Sequence, residues 1–171
     1  MLHTLSKAFA LAGVRCGYVI AAPDVIDALA AVRQIYSVNV LTQAAALAAV
    51  RARAEFGPTV EKIVSERSRL YESLARVEGV RVWPSEGNFI LARIEGASRV
   101  RERLRDERSI LVRDFSYSPG LADCLRITVG TPEENDAVIE ALSEIVPEEA
   151  ARAAAAGNEP ACATNKEDQD D

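Results

Sequence analysis

Two cations near the start of the chain, Lys7 and Arg15, stand eight residues apart in the stretch HTLSKAFALAGVRCGYVIAAP, residues 3–23. A lysine at the end of a strand can form a Schiff base with an aldehyde once its surroundings let the amine shed a proton. An arginine nearby can clamp a phosphate with its planar fork of donors. Thr4 and Ser6 add hydroxyls in the same turn, while Ala8, Ala10, Ala12 and Gly13 are small enough to let a loop wrap closely round an anion. An aldehyde and a phosphate carried on one molecule describe pyridoxal phosphate. The same residue types also suit a solvated surface, where lysine and arginine ordinarily lie, so both readings stand at this point. Arg126 and Arg113 have the same double reading, as anchors for a substrate anion or as outward residues of a strand.

Composition narrows the chemistry. The chain has 171 residues, 49% hydrophobic and 27% charged, enough for one domain with an added arm and a sizeable core. A net charge of -6, with Lys and Arg spread over several segments, argues against nucleic acid. The three cysteines, Cys16, Cys124 and Cys162, form no CxxC pair, which argues against a disulfide framework or zinc knuckle and fits a cytoplasmic setting. A single histidine, His3, supports neither a His-rich metal site nor a Ser-His-Asp triad. The opening residues mimic a signal peptide, but Arg15 interrupts the required apolar run, and no stretch is long enough to span a bilayer.

The elements that must position these residues alternate. Residues 16–22 read as a strand, and Pro23 with Asp24 opens a helix carrying Val25, Ile26, Leu29 and Val32 on one period. Residues 41–55 are helical and end near Gly57-Pro58; residues 59–77 form a second, charged helix closed by Gly79. Residues 80–83 and 88–94 are strands around a Pro-Ser-Glu-Gly turn. Residues 97–108 form a solvated helix anchored by Val100 and Leu104, and residues 110–115 and 125–130 are strands. Thr131-Pro132-Glu133-Glu134 opens a helix expected to end near Ile145. Residues 147–171 lose the apolar period and read as a disordered acidic tail.

Four ordered stretches resemble the class I and II pyridoxal-phosphate-dependent aminotransferases, in particular the histidinol-phosphate branch. These are TLSKAFALAGVRCGY (4–18), WPSEGNFIL (83–91), ILVRDFS (110–116) and LADCLRITVGTPEENDAVIEAL (121–142). The resemblance implies an α/β fold, the C-terminal part of a fold-type I transferase. On that basis residues 1–56 end a large cofactor-binding domain, and residues 57–146 form a small α+β domain. It implies that Lys7 carries the cofactor and shuttles a proton, that Thr4, Ser6 and Arg15 hold its phosphate, that Arg126 binds the substrate carboxylate, and that Arg113 binds a substrate phosphate. Asn88 is expected to brace the site through its amide.

The activity so implied is transamination between histidinol phosphate and 2-oxoglutarate in histidine biosynthesis, by a cytoplasmic homodimer that uses no metal. The family residues that pair with the pyridine nitrogen and stack on the ring have no counterpart here. The chain alone is therefore expected to hold a partial, inactive site. Threonine-phosphate decarboxylase or aromatic aminotransferase chemistry, and a non-catalytic remnant, remain alternatives.

Overall fold

A computed structural model describes residues 1–156. The chain divides into two compact units, Met1–Lys62 and Ile63–Asp171, with the division falling inside a helix six residues beyond the boundary expected from sequence.

In the first unit, β1 (Leu2–Thr4) pairs antiparallel with β2 (Gly17–Val19). Helix α1 (Pro23–Val32) follows, with proline at its first position and Asp24 in its first turn, as the sequence predicts. Helix α2 (Val40–Arg51) is capped by Asn39, whose Oδ1 accepts the Thr42 backbone N–H at 2.9 Å. Little is buried here: Leu5, Thr42 and Ala49 alone fall below a tenth exposed, while Val32, Ile35, Tyr36 and Leu41 are open.

Helix α3 (Arg53–Leu74) runs through Gly57 and Pro58, where a break was expected. Proline removes one donor and crowds the preceding turn. The long charged helix beyond it, anchored by the fully buried Leu70 and Leu74, outweighs that local fault.

The second unit is a four-stranded antiparallel sheet in the order β3-β4-β6-β5, built from β3 (Val80–Trp83), β4 (Phe89–Ile94), β5 (Arg113–Asp114) and β6 (Cys124–Thr128). Alternation sends Ile90, Ala92, Ile94, Leu125 and Ile127 to one face, at 2% exposure or less. That face packs with α4 (Ala97–Arg108), through Ala97, Val100 and Leu104, and with α5 (Pro132–Ala156), through Val138, Leu142 and Ile145. Gly79 has φ +82°, and a Cβ there would sit 3.1 Å from Val146, so the turn into β3 requires glycine on two counts. Strand β5 is much shorter than the expected 110–115, because Ser109 turns left-handed and the Ile110 N–H is spent on the Leu104 carbonyl.

Helix α5 corrects the reading of the tail. Thr131 and Glu134 form a reciprocal cap, the Thr131 N–H donating to Glu134 Oε2 at 2.8 Å and the Glu134 N–H to Thr131 Oγ1 at 3.3 Å. The helix then passes Pro147 and continues to Ala156. Residues 147–156, expected to be disordered, are held by charge in place of an apolar stripe: Arg103 of α4 pairs with Glu148 at 2.7 Å and Glu149 at 3.2 Å. The rest of the expected tail, residues 157–171, lies outside the described residues. Among the described residues no helix is long and apolar enough to cross a membrane.

Candidate active site

The end of β1 and the loop that leads to β2 carry four of the expected residues, Thr4, Ser6, Lys7 and Arg15. The strands pair Leu2 with Val19, His3 with Tyr18 and Thr4 with Gly17. The Leu5 N–H then donates to the Cys16 carbonyl at 3.0 Å, which carries the same register one step further. Gly17 makes this closeness possible, since a Cβ there would lie 2.5 Å from the His3 carbonyl oxygen. Leu5, only 4% exposed, anchors the loop, and Thr42 Oγ1 of α2 donates to the Val14 carbonyl at 3.2 Å.

Within that loop Thr4 Oγ1 donates to Ser6 Oγ at 2.8 Å and accepts the Ser6 N–H at 3.1 Å. Arg15 takes a left-handed backbone, φ 56°, after a 3-10 turn at Ala12–Val14, and its Nη1 donates to the Ala12 carbonyl at 3.0 Å. One guanidinium nitrogen is thus spent on holding the turn, leaving further donors for an anion. Lys7 sits in the turn just beyond, exposed. Its carbonyl accepts the Ala10 N–H at 2.9 Å, which fixes the backbone under a side chain that forms no ion pair with the described residues.

Arg113 and Arg126 belong to the second unit, so the six expected residues form two sets, one on each unit. They stand directly opposite each other across β5 and β6. Like charges in that position repel. Arg126 lies over the rings of Phe89, at 5.5 Å, and Phe115, at 5.6 Å, and Arg113 lies 5.9 Å from Phe115. Among the described residues Arg126 Nε is buried without a hydrogen-bond partner, an unspent donor of the kind that a bound oxyanion satisfies. The Asn88 backbone carbonyl accepts the Val129 N–H at 2.9 Å, joining β4 to β6 by main chain.

Two features escaped the sequence reading. Phe89 and Phe115 wall Arg126, a role visible in the strand alternation once the pairing is known. A buried polar network below the sheet end centres on Asn135, 1% exposed, whose Oδ1 accepts the Gly130 N–H at 3.0 Å. Its Nδ2 donates to the Gly130 carbonyl at 3.2 Å and to Glu66 Oε2 at 2.8 Å. Arg69 Nη2 also donates to Glu66, at 2.7 Å, and hydrogen bonding from Arg69 and then Asn135 holds the Glu66 carboxyl below the usual glutamate range. In sequence, Asn135 is one more polar residue in a helical turn.

Residues 1–142 match the family described as Aminotransferase class I and II. The histidinol-phosphate aminotransferase of Roseiflexus castenholzii is 44% identical over 149 residues, which cover 85% of this chain and 40% of that protein. That of Thermoanaerobacter pseudethanolicus is 43% identical over 146 residues, covering 85% and 41%. The chain thus spans well under half the length of these curated relatives. Among solved structures, L-threonine-O-3-phosphate decarboxylase from Porphyromonas gingivalis superposes with a TM-score of 0.74 at 30% identity, covering 86% of this chain and 46% of that one. Histidinol-phosphate aminotransferase from Sinorhizobium meliloti, in complex with pyridoxal-5'-phosphate, gives 0.72 at 28% identity, covering 86% and 41%. The fold is the fold-type I arrangement that the sequence stretches imply. With a family match that runs from the first unit through most of the second, this chain belongs to the class I and II aminotransferases.

Proposed function

We propose that this chain carries part of the site of a pyridoxal-phosphate-dependent aminotransferase that exchanges an amino group between histidinol phosphate and 2-oxoglutarate. The residues present suit the cofactor. The Thr4 and Ser6 hydroxyls are bonded to each other, Arg15 and the exposed Lys7 lie on the same loop, and hydroxyls with a guanidinium are a donor set matched to a phosphate. Pyridoxal phosphate, when bound, supplies an aldehyde that condenses with amines and a ring that draws electrons from the substrate α-carbon. Lys7 would carry the cofactor and, once released, take up and return the proton of the substrate α-carbon, a base then an acid. Thr4, Ser6 and Arg15 would hold the phosphate.

One observation carries the substrate reading: Arg126 and Arg113 face each other in register, with Arg126 Nε buried and unspent between two phenyl rings. Two facing guanidinium groups suit a dianionic phosphate, and Arg126 alone suits the carboxylate of an amino or 2-oxo acid. The named histidinol-phosphate relatives support the same choice. A threonine-phosphate decarboxylase, favoured by the Porphyromonas gingivalis structure, would use the same two arginines on a different phosphorylated substrate. The reading carries with it a cytoplasmic homodimer, as the family resemblance implies.

The test uses this chain joined to the N-terminal segment of a curated relative. Lys7→Ala should abolish the covalent attachment of the cofactor and nearly all transamination, while cofactor binding should merely weaken. Arg113→Ala should raise KM for histidinol phosphate by roughly tenfold or more, the loss of a charge-assisted bond, and leave KM for glutamate close to unchanged. Equal losses on both substrates would refute the histidinol-phosphate assignment, and turnover of threonine phosphate to a decarboxylated amine would favour the alternative.

A further inference from the structure

Strand β5 is two residues long, yet it presents Arg113 directly opposite Arg126 of β6. Like charges in that position repel, so an edge strand this short needs a hold beyond its own ladder. The chain before it gives little. Residues 110–112 belong to no strand, and the Ile110 N–H is spent on the Leu104 carbonyl of α4. Just after it the Phe115 N–H donates to the Cys124 carbonyl at 2.9 Å, which takes the pairing one step further.

Asp114 supplies the hold. Strand alternation sends its side chain to the face opposite Arg113, where Oδ2 accepts from Ser98 Oγ in the first turn of α4 at 2.7 Å. Its Oδ1 accepts the Ser116 N–H at 2.8 Å, an Asx turn that shapes the exit from the strand. One carboxylate thus ties β5 to a helix on one side and to the following turn on the other. Burial pushes the Asp114 carboxyl up, but hydrogen bonding from Ser116 and Ser98 and the charge of Arg101 outweigh it, so it lies below the usual aspartate range. Its two chain neighbours are the residues that flank Arg126: the Phe115 ring lies 5.6 Å from the Arg126 guanidinium and 5.9 Å from that of Arg113. The far end of the same β5–β6 connection is tied separately, by Arg93 of β4, whose Nε and Nη2 donate to the Ala122 and Gly120 carbonyls at 3.1 and 3.2 Å.

We propose that Asp114 is a positioning residue for the substrate anion: by clamping β5 to α4 and to the turn at Ser116, it fixes Arg113 and Phe115 on the opposite face and holds them beside Arg126. The carboxylate touches no substrate and lies on the far side of the sheet from the arginine pair, so it steadies the two guanidinium groups without neutralising them. A pair kept in place before the anion arrives binds it at lower ordering cost. The anion itself rests on the substrate reading of Arg126 and Arg113, whereas the ordering of these residues can be measured with no ligand present.

The test uses the full chain, isotope-labelled for NMR and first without ligand. Arg126 Nε is buried and lies by two phenyl rings, so its Nε–H signal should be ring-shifted and slow to exchange with water. Asp114→Ala should speed that exchange roughly tenfold, the equivalent of one hydrogen bond to a charged group, while the amides of Ile90 and Leu142 in the core keep their native rates. Ser98→Ala removes one of the two bonds and should act in the same direction to a smaller extent, a measurement that stands even if Asp114→Ala folds poorly. Asp114→Asn can still accept the Ser116 N–H and can donate to Ser98 Oγ, so it should recover most of the protection. Arg93→Gln, which frees the far end of the connection, should leave the Arg126 signal close to native. Native exchange at Arg126 in both Asp114→Ala and Ser98→Ala would overturn the proposal, as would equal acceleration at Ile90 and Leu142 or an equal effect of Arg93→Gln. Inorganic phosphate, followed at the Arg113 and Arg126 Nε–H signals, then separates this role from the substrate reading. Asp114→Ala should weaken its binding by a factor similar to the change in exchange, and Asp114→Asn should restore it. A native chain in which neither arginine signal responds to phosphate would count against the substrate reading, and the exchange rates would still decide the role of Asp114.

Discussion

The two units handle their apolar residues in opposite ways. In the second, Leu70, Leu74, Ile90, Leu104, Leu125 and Leu142 are fully buried between the sheet and its helices. In the first, α1 buries no residue at all, and Leu2, Val32, Ile35, Tyr36, Val40 and Leu41 are largely open. The loop that presents Lys7 is nevertheless well ordered by backbone bonds, with Gly17 allowing close strand approach and Leu5 as its anchor. The proposed cofactor residues rest on local hydrogen bonding, and the proposed substrate residues rest on a packed core.

The largest expected effect tests that division. Leu125→Ala, in the middle of β6, removes a fully buried side chain and should cost about 2–5 kcal/mol in denaturant unfolding followed by far-ultraviolet circular dichroism. Leu29→Ala, at a position 45% exposed on α1, should stay within about 0.5 kcal/mol. Comparable losses at both positions would mean that the first unit holds a core of its own.

The next effect is smaller and lies where polar groups replace apolar ones. Asn135→Ala strips the Gly130 N–H and carbonyl and Glu66 of their shared partner in a buried site. Leaving such groups unpaired costs about 1–3 kcal/mol. Because Gly130 follows directly on the strand that carries Arg126, the change should also raise amide exchange rates along β6 more than along β3. Uniform acceleration across the sheet would show that Asn135 acts on the unit as a whole.

These elements differ in how far the sequence disclosed them. Strands β3 and β4 and helix α4 follow from alternation and helical period, because each buries one face of its own residues. The Thr131 cap is equally local. Helix α3 passing Pro58 and α5 passing Pro147 were not legible, since each is sustained by partners distant in sequence: the core leucines in one case, Arg103 with Glu148 and Glu149 in the other. The loop with Thr4, Ser6, Lys7 and Arg15 could be proposed as a cofactor site from sequence because those residues fall within a dozen consecutive positions. The walls of Phe89 and Phe115 around Arg126 could not, because Phe89 comes from β4 and Phe115 from just beyond β5, and only the fold sets both beside β6.

The smallest effect concerns acid. Glu66, with a side chain 16% exposed, is held in its charged form by Arg69 first and Asn135 second, so its folded pKa lies below its unfolded one. A carboxylate depressed in this way stabilises the fold above the unfolded pKa, and that contribution is lost as pH falls through the folded value. The loss therefore begins below about pH 4.3, the ordinary glutamate value, and is complete only at more acid pH. Glu66→Gln keeps the shape but never carries the charge. Its stability deficit against the native chain should be constant from pH 8 to roughly pH 5 and should narrow below about pH 4.3. Denaturant titrations of both proteins across that range measure the gap directly. A gap that stayed constant into acid would mean that Arg69 draws its support from Asp136 and the Pro132 carbonyl, and that Glu66 serves the network by shape alone.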